Sequence, residues 1–160
     1  MTTNKDSGIL WAFKQRTSFS TIPRTDDFDA YSKAILICAN GDGNLAPLER
    51  EWVLGYFAAF GAPDSVLEEI KSYKADEDLE KLMAITPATN ASRRFLVYDA
   101  IQACSADGQY NDRERAMVIR MAAKLGVSED VVRQVEEICV EEAQLREKRL
   151  KLMYPEGAPL

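Results

Sequence analysis

An internal repeat with a spacing of 65 residues constrains the fold of this chain more than any other feature. The segment NGDGNLAPLEREW runs from Asn40 to Trp52, and SADGQYNDRERAM runs from Ser105 to Met117. Matching positions continue at the same spacing in four further pairs: Leu54 and Ile119, Phe60 and Leu125, Gly61 and Gly126, Val66 and Val131. Self-similarity at one fixed spacing is the signature of a duplicated structural unit. The sequence therefore predicts one domain built from two copies of such a unit.

The apolar residues within each copy recur at helical spacing, and strand signals are nearly absent. Each copy reads as a helix, an Asp-Gly turn, a second helix, a glycine stop and a third helix. Pro47 and Asn111 are suited to begin the two second helices. Gly61 and Gly126 are expected to end them in left-handed conformation. The predicted fold class is all-α, as a single globular helical domain of two pseudo-symmetric helical repeats.

The predicted domain organisation follows from the extent of the repeat. We expect an N-terminal extension at 1–24 that packs on the core, an all-helical domain at 25–153 and a tail at 154–160. Within the domain, repeat one covers about 25–84 and repeat two about 90–153.

Four local expectations accompany these boundaries. Trp11 is expected to anchor the N-terminal extension on the helical domain. Thr25 to Asp27 are expected to start the first helix of repeat one. A short helix is expected over residues 75–84. The segment Ile85 to Ser92 carries a proline and several capping residues, and we expect it to interrupt the helices and separate the two repeats.

Composition excludes several classes of function. The chain has 160 residues, no histidine and three cysteines without CxxC spacing, Cys38, Cys104 and Cys139. The absence of histidine rules out a Ser-His-Asp triad, a Cys-His pair and an HExxH zinc site within this chain. The cysteines are expected to be buried, reduced thiols. A net charge of −6 argues against general nucleic-acid binding. With no transmembrane stretch and no export signal expected, we predict a cytoplasmic protein.

The repeated motif resembles the second half of a calcium-binding loop. Asp42 and Gly43 are followed by Glu49, and Asp107 and Gly108 are followed by Glu114 at the same spacing. An EF-hand loop also needs an acidic ligand at its first position, where this chain has Cys38 and Ala103. An ordinary EF-hand is therefore not expected. Two interpretations stay open, because the motif can be a turn with a helix cap or a turn that also holds a cation.

The segments ANGDGNLAPLEREWVLGYFAAFGAP and CSADGQYNDRERAMVIRMAAKLGVSEDVV together resemble the tellurite-resistance TerB-like family. The resemblance covers about residues 26–140 and implies an all-α fold with a cytoplasmic role in bacterial tellurite and stress resistance. It also implies an acidic metal site, which maps onto four residues with Glu51 and Asp112 as neighbours. These four candidate metal ligands are Asp42, Glu49, Asp107 and Glu114.

The function expected from these features is a non-enzymatic stress and tellurite-resistance-type module. Its acidic face is a candidate for binding a divalent cation or for docking a protein partner. Carboxylate and carbonyl oxygens favour Ca²⁺, Mg²⁺ or Mn²⁺ over Zn²⁺. No other cofactor is expected. Two alternatives are a protein-interaction scaffold without metal and a metal-dependent hydrolase.

Overall fold

The computed structural model describes residues 2–22, 28–83 and 87–160, with the side chains of residues 87–90 excepted. These residues form eight helices and no strand, which confirms the all-α fold class. The helices are α1 (Asn4–Thr17), α2 (Phe28–Ala39), α3 (Pro47–Ala59), α4 (Asp64–Ser72), α5 (Leu79–Leu82), α6 (Pro87–Cys104), α7 (Asp112–Lys124) and α8 (Glu129–Met153).

Helices α2 and α6 form the centre of the domain. They pack against each other, α3 and α7 contact both of them, and α8 packs on α6 and α7. The segment from Ala34 to Ala39 at the end of α2 is buried on every side, as expected of a helix that is apolar all round. The turns that follow these two helices lie close together, since Asn111 beyond α6 contacts Asp42 beyond α2.

The two halves have the same local structure at the 65-residue spacing. Helices α3 and α7 begin and end at equivalent positions, as do the ends of α2 and α6 and the starts of α4 and α8. Gly61 and Gly126 have φ angles of 80° and 70°, which confirms the left-handed conformation expected at both. In each copy the residue after the glycine donates its N–H to a carbonyl five positions earlier, as in a Schellman motif.

The N-terminal helix is held by Phe13, and the expectation for Trp11 is wrong. Trp11 is 66% exposed, whereas Phe13 is buried with its ring centroid 4.3 Å from that of Phe60. Ile9, Phe13 and Arg16 lie on one face of α1 because they are spaced by four and three residues. Trp11 is two positions from Ile9 and from Phe13, so it points away from that face.

The predicted interruption between the repeats is wrong over its described part. Helix α6 begins at Pro87 and runs through the segment up to Ser92 without a break. A proline in the first turn costs no hydrogen bond, and the polar residues that follow are tolerated near a helix start. The short helix expected over 75–84 covers only Leu79–Leu82 and is capped by Asp78. The predicted helix start at 25–27 lies outside the described residues, and the domain boundaries stay a prediction.

Candidate functional site

The two Asp-Gly turns have the same geometry. Gly43 and Gly108 take φ angles of 82° and 88°, a conformation that glycine adopts at no steric cost. Asp42 and Asp107 each accept a hydrogen bond on Oδ1 from the backbone N–H two residues further on, at 2.8 Å in both cases. Each aspartate therefore closes its own turn with one oxygen.

The two glutamates of the motif cap the helices that follow. Glu49 Oε2 accepts the N–H of Ala46 at 2.7 Å, and Glu114 Oε2 accepts the N–H of Asn111 at 3.1 Å. Asn111 completes a capping box, because its Oδ1 accepts the N–H of Glu114 at 3.0 Å. Ala46 has no side-chain acceptor and makes only half of this arrangement. The turn-and-cap role of the repeated motif is therefore present in both copies.

The two turns meet across the interface between the repeats. Asn111 Nδ2 donates a hydrogen bond to Asp42 Oδ2 at 2.9 Å, so the cap of α7 is tied to the first turn. A Cβ atom at Gly41 would lie 2.8 Å from Met117 Cγ and 2.9 Å from the carbonyl oxygen of Arg113. Only glycine fits at this point of contact. The turn after α2 is thus seated on the first turns of α7.

The four candidate carboxylates experience one another's charge. Glu49 is fully buried, and burial raises its pKa to about 7, against the opposing effect of the hydrogen bond from Ala46. The negative charges of Glu114, Asp107 and Asp42 contribute to this upward shift. Burial also raises the pKa of Glu114, with Asp42 and Asp107 adding to the effect. The chain has therefore gathered these carboxylates at one end of the domain.

One buried atom of this acidic cluster (Asp42, Glu49, Asp107 and Glu114) lacks a hydrogen-bond partner among the described residues. Glu49 Oε1 is buried and accepts no hydrogen bond from any described residue. A buried carboxylate oxygen without a donor is costly, because it has lost its hydration without replacement. Its environment has the oxygen chemistry that suits a hard divalent cation.

The acidic cluster is not a finished metal site. Within residues 2–22, 28–83 and 87–160, no three acidic or cysteine side chains are arranged as ligands around one point. Glu51 and Asp112, the neighbours predicted from the sequence, do not join the cluster. Glu51 is exposed and lines a different part of the surface, and Asp112 is exposed at the first position of α7. The metal role of the four residues stays a prediction.

The cysteines are free and buried, as the sequence analysis expected. Burial raises the pKa of the Cys38 thiol to about 12. Burial also raises the pKa of Cys104, and the nearby charges of Glu114 and Glu49 add to the shift. These effects favour the neutral thiol of Cys104 in the metal-free chain.

A second buried carboxylate, Asp99 on α6, was missed by sequence reasoning. Its Oδ1 accepts a hydrogen bond from Arg16 Nη2 at 2.6 Å, and its Oδ2 accepts the hydroxyls of Tyr31 and Tyr56 at 3.0 Å each. The Arg16 guanidinium carbon lies 5.0 Å from the ring centroids of both Tyr56 and Tyr98. The only sequence signal was an aspartate within the apolar face FLVYDAIQAC. This network joins α1 to α2, α3 and α6.

A cleft of about 1170 Å³ separates α3 from α8. Its lining mixes apolar side chains such as Trp52 and Val140 with charged ones such as Glu51, Arg115 and Glu136. Arg115 is already paired with Glu136 through a 2.8 Å hydrogen bond. The cleft has no dominant charge. It borders the second Asp-Gly turn through Ala106 and Gly108, but none of the four candidate carboxylates lines it.

The comparison with solved structures assigns the family. The chain is similar to a tellurite resistance protein from Nostoc punctiforme PCC 73102, known from a crystal structure. The sequences are 38% identical, the alignment covers 100% of both chains, and the TM-score is 0.89. The chain belongs to the tellurite-resistance TerB-like family. Comparisons with protein-family models and with curated proteins give no match.

The resemblance inferred from the repeated motif is thus confirmed over the whole TerB-like chain and not only over residues 26–140. The shared architecture includes α1 and α8, which lie outside the repeated units or extend beyond them. None of the described helices of this TerB-like protein is long and apolar enough to cross a membrane.

Proposed function

We propose that this TerB-like protein is a non-enzymatic, cytoplasmic module of the tellurite and stress-resistance type whose two Asp-Gly turns bind one divalent cation between them. Family membership supports the general role. The observation that supports the cation is Glu49 Oε1, an unpartnered buried oxygen next to three further carboxylates. A cation at this position would replace the lost hydration of that oxygen and offset the mutual repulsion of the cluster.

The donor chemistry selects the class of ion. The acidic cluster supplies carboxylate oxygens, so hard ions are favoured. We therefore propose Ca²⁺, Mg²⁺ or Mn²⁺ as the ligand. Tellurite is an anion, which the same carboxylates would repel. The contribution to resistance would accordingly be indirect, through the cation or through a protein partner that recognises the cation-bound face.

Catalysis is not part of the proposal because the glutamates already have structural tasks. Glu49 and Glu114 each hold a backbone N–H at the start of a helix. A carboxylate fixed in this way stabilises the start of its helix, and moving it to transfer protons would break the capping hydrogen bond.

The test is a thermal unfolding series in EDTA and then in each divalent ion. At a concentration about 100-fold above the dissociation constant, binding adds about 2.7 kcal/mol to the free energy of unfolding. For a domain of this size the melting temperature should rise by about 5–10 °C. Glu49→Gln should remove the response, because it replaces the unpartnered oxygen with a neutral amide.

Glu51→Gln is the matched control, since it makes the same change two residues away on an exposed side chain outside the cluster. It should respond to the ion as the natural chain does. If Ca²⁺, Mg²⁺ and Mn²⁺ at millimolar concentration all leave the melting temperature unchanged, the motif is a turn and a cap only. Docking of a partner without metal would then be the better explanation of the acidic face.

A further inference from the structure

Helix α8 is the longest of the described helices, and most of its second half is exposed. It has 25 residues, which corresponds to a length of about 37 Å. Its buried residues, Val132 and Cys139, lie in the first half. From Val140 to Met153 every residue except Leu150 is exposed. The second half of the helix is therefore mostly exposed, although Glu142 accepts a hydrogen bond from Tyr98 and residues 143–144 and 146–147 border the cleft opposite α3.

The exposed face of α8 carries an apolar stripe with heptad spacing. Ile138, Leu145 and Leu152 are seven residues apart and are 48%, 63% and 73% exposed. Because the drift per heptad is about 20°, the three side chains lie within about 40° of one another around the helix. Cys139 and Val132, which face the core, are about 120–140° away from Leu145 around the helix. The stripe is thus separate from the face that packs on α6.

The charges on this stripe change sign along the helix. Glu141 and Glu142 lie between Ile138 and Leu145, whereas Lys148 and Arg149 lie between Leu145 and Leu152. All four charged residues are exposed. Lys148 and Arg149 have no ion-pair partner among the described residues, and Glu142 accepts a hydrogen bond from the hydroxyl of Tyr98. The pattern is self-complementary only when it meets a copy of itself running in the opposite direction.

We propose that α8 binds α8 of a second copy of this chain in antiparallel orientation, with a twofold axis at Leu145. In this register Leu145 faces Leu145 of the second copy, and Ile138 faces its Leu152. Glu141 then faces Arg149 of the second copy, and Glu142 faces its Lys148. A parallel pair in the same register would place like charges opposite each other.

The stripe faces away from the core of its own chain, which leaves room for the second copy. In this arrangement the two domains lie toward opposite ends of the helix pair, because the buried residues of each α8, Val132 and Cys139, lie in its first half. The interface is isologous and closed, so it gives a dimer and not a filament. Three apolar side chains from each helix form a small contact, well below that of an obligate dimer. We therefore expect a dissociation constant of the dimer in the micromolar range.

The first test measures the molecular mass of the full chain by sedimentation equilibrium across a concentration series. The natural chain should pass from monomer to dimer. Leu145→Glu should weaken association by about tenfold or more. Val140→Glu is the matched control, because Val140 is 56% exposed on the same helix but faces the cleft. It should leave association unchanged. The proposal is overturned if the natural chain stays monomeric at millimolar concentration, or if Val140→Glu and not Leu145→Glu abolishes the dimer.

The second test exchanges charges to establish the orientation. Glu141→Arg alone and Arg149→Glu alone should each weaken the dimer, since each places like charges opposite each other. The chain with both changes should dimerise again, and a mixture of the two single variants should form heterodimers. If neither the double variant nor the mixture of single variants associates, the antiparallel register is refuted. Because these side chains are exposed, all variants should keep the helix content of the natural chain.

Discussion

Replacing Arg16 by methionine should destabilise the protein far more than its surface position suggests. The change keeps an unbranched apolar stem, but it removes the guanidinium that contacts the rings of Tyr56 and Tyr98 and leaves the Asp99 carboxylate buried without its cation. Breaking a buried ion pair costs about 3–5 kcal/mol, and a hydrogen bond to a charged group is worth about 1.5–3 kcal/mol. The Arg16 side chain is 25% exposed, and the hydroxyls of Tyr31 and Tyr56 still donate to Asp99. We therefore expect a loss of about 2–4 kcal/mol.

Equilibrium unfolding in urea gives the free energy directly, and the melting temperature should fall by about 5–12 °C. Trp11→Ala on the same helix is the control, and it should change stability by less than about 0.5 kcal/mol because Trp11 is largely exposed. In a background that carries Asp99→Asn, the loss from Arg16→Met should shrink, because no buried charge is left unpaired. Equal losses in both backgrounds would refute the ion-pair reasoning, as would a cost for Trp11→Ala as large as that for Arg16→Met.

Two further outcomes are expected from unfolding measurements. Gly55→Ala should stabilise the chain by about 0.5–1 kcal/mol, since Gly55 lies within α3 and a Cβ there meets nothing within 4 Å. Gly61→Ala should destabilise it by about 1–2 kcal/mol, because Gly61 has a φ of 80° and a Cβ there would lie 2.8 Å from Ile9 Cδ1. The reverse order of stabilities would contradict the left-handed conformation assigned to Gly61. In EDTA the protein should lose about 2–3 kcal/mol as the pH rises from about 4.5 to about 7, since Glu49 has its pKa raised to about 7 and binds its proton more tightly in the folded state. Glu49→Gln should flatten that pH profile, and an unchanged profile would show that Glu49 does not titrate in this window.

The repeat could be predicted from the sequence because its signals are local. A glycine stop, a helix cap and an Asp-Gly turn depend on backbone conformation within a few residues. The φ angles at Gly61 and Gly126 and the cap between Asn111 and Glu114 therefore follow directly from the sequence. The equivalence of α3 and α7 needed no knowledge of how the repeats pack.

Other features were out of reach because they depend on partners distant in the chain. Asp99 is buried by an arginine that lies 83 residues away, in a segment outside the repeat. The choice between Trp11 and Phe13 as the anchor depends on which face of α1 meets Phe60. The link from Asn111 to Asp42 requires the relative placement of both repeats. Periodicity indicates which faces are apolar, but not which faces meet.

The hydrogen bond from Asn111 to Asp42 has a consequence for how a duplicated chain changes over time. The position equivalent to Asn111 in the first repeat is Ala46, which cannot reach across to Asp107. Asp42 thus has both oxygens engaged, whereas only Oδ1 of Asp107 is engaged by a described residue. After a duplication each position exists twice, so one copy can acquire a new task while the other preserves the ancestral one. The two halves keep the same backbone geometry at these turns and differ in their side chains where they contact each other.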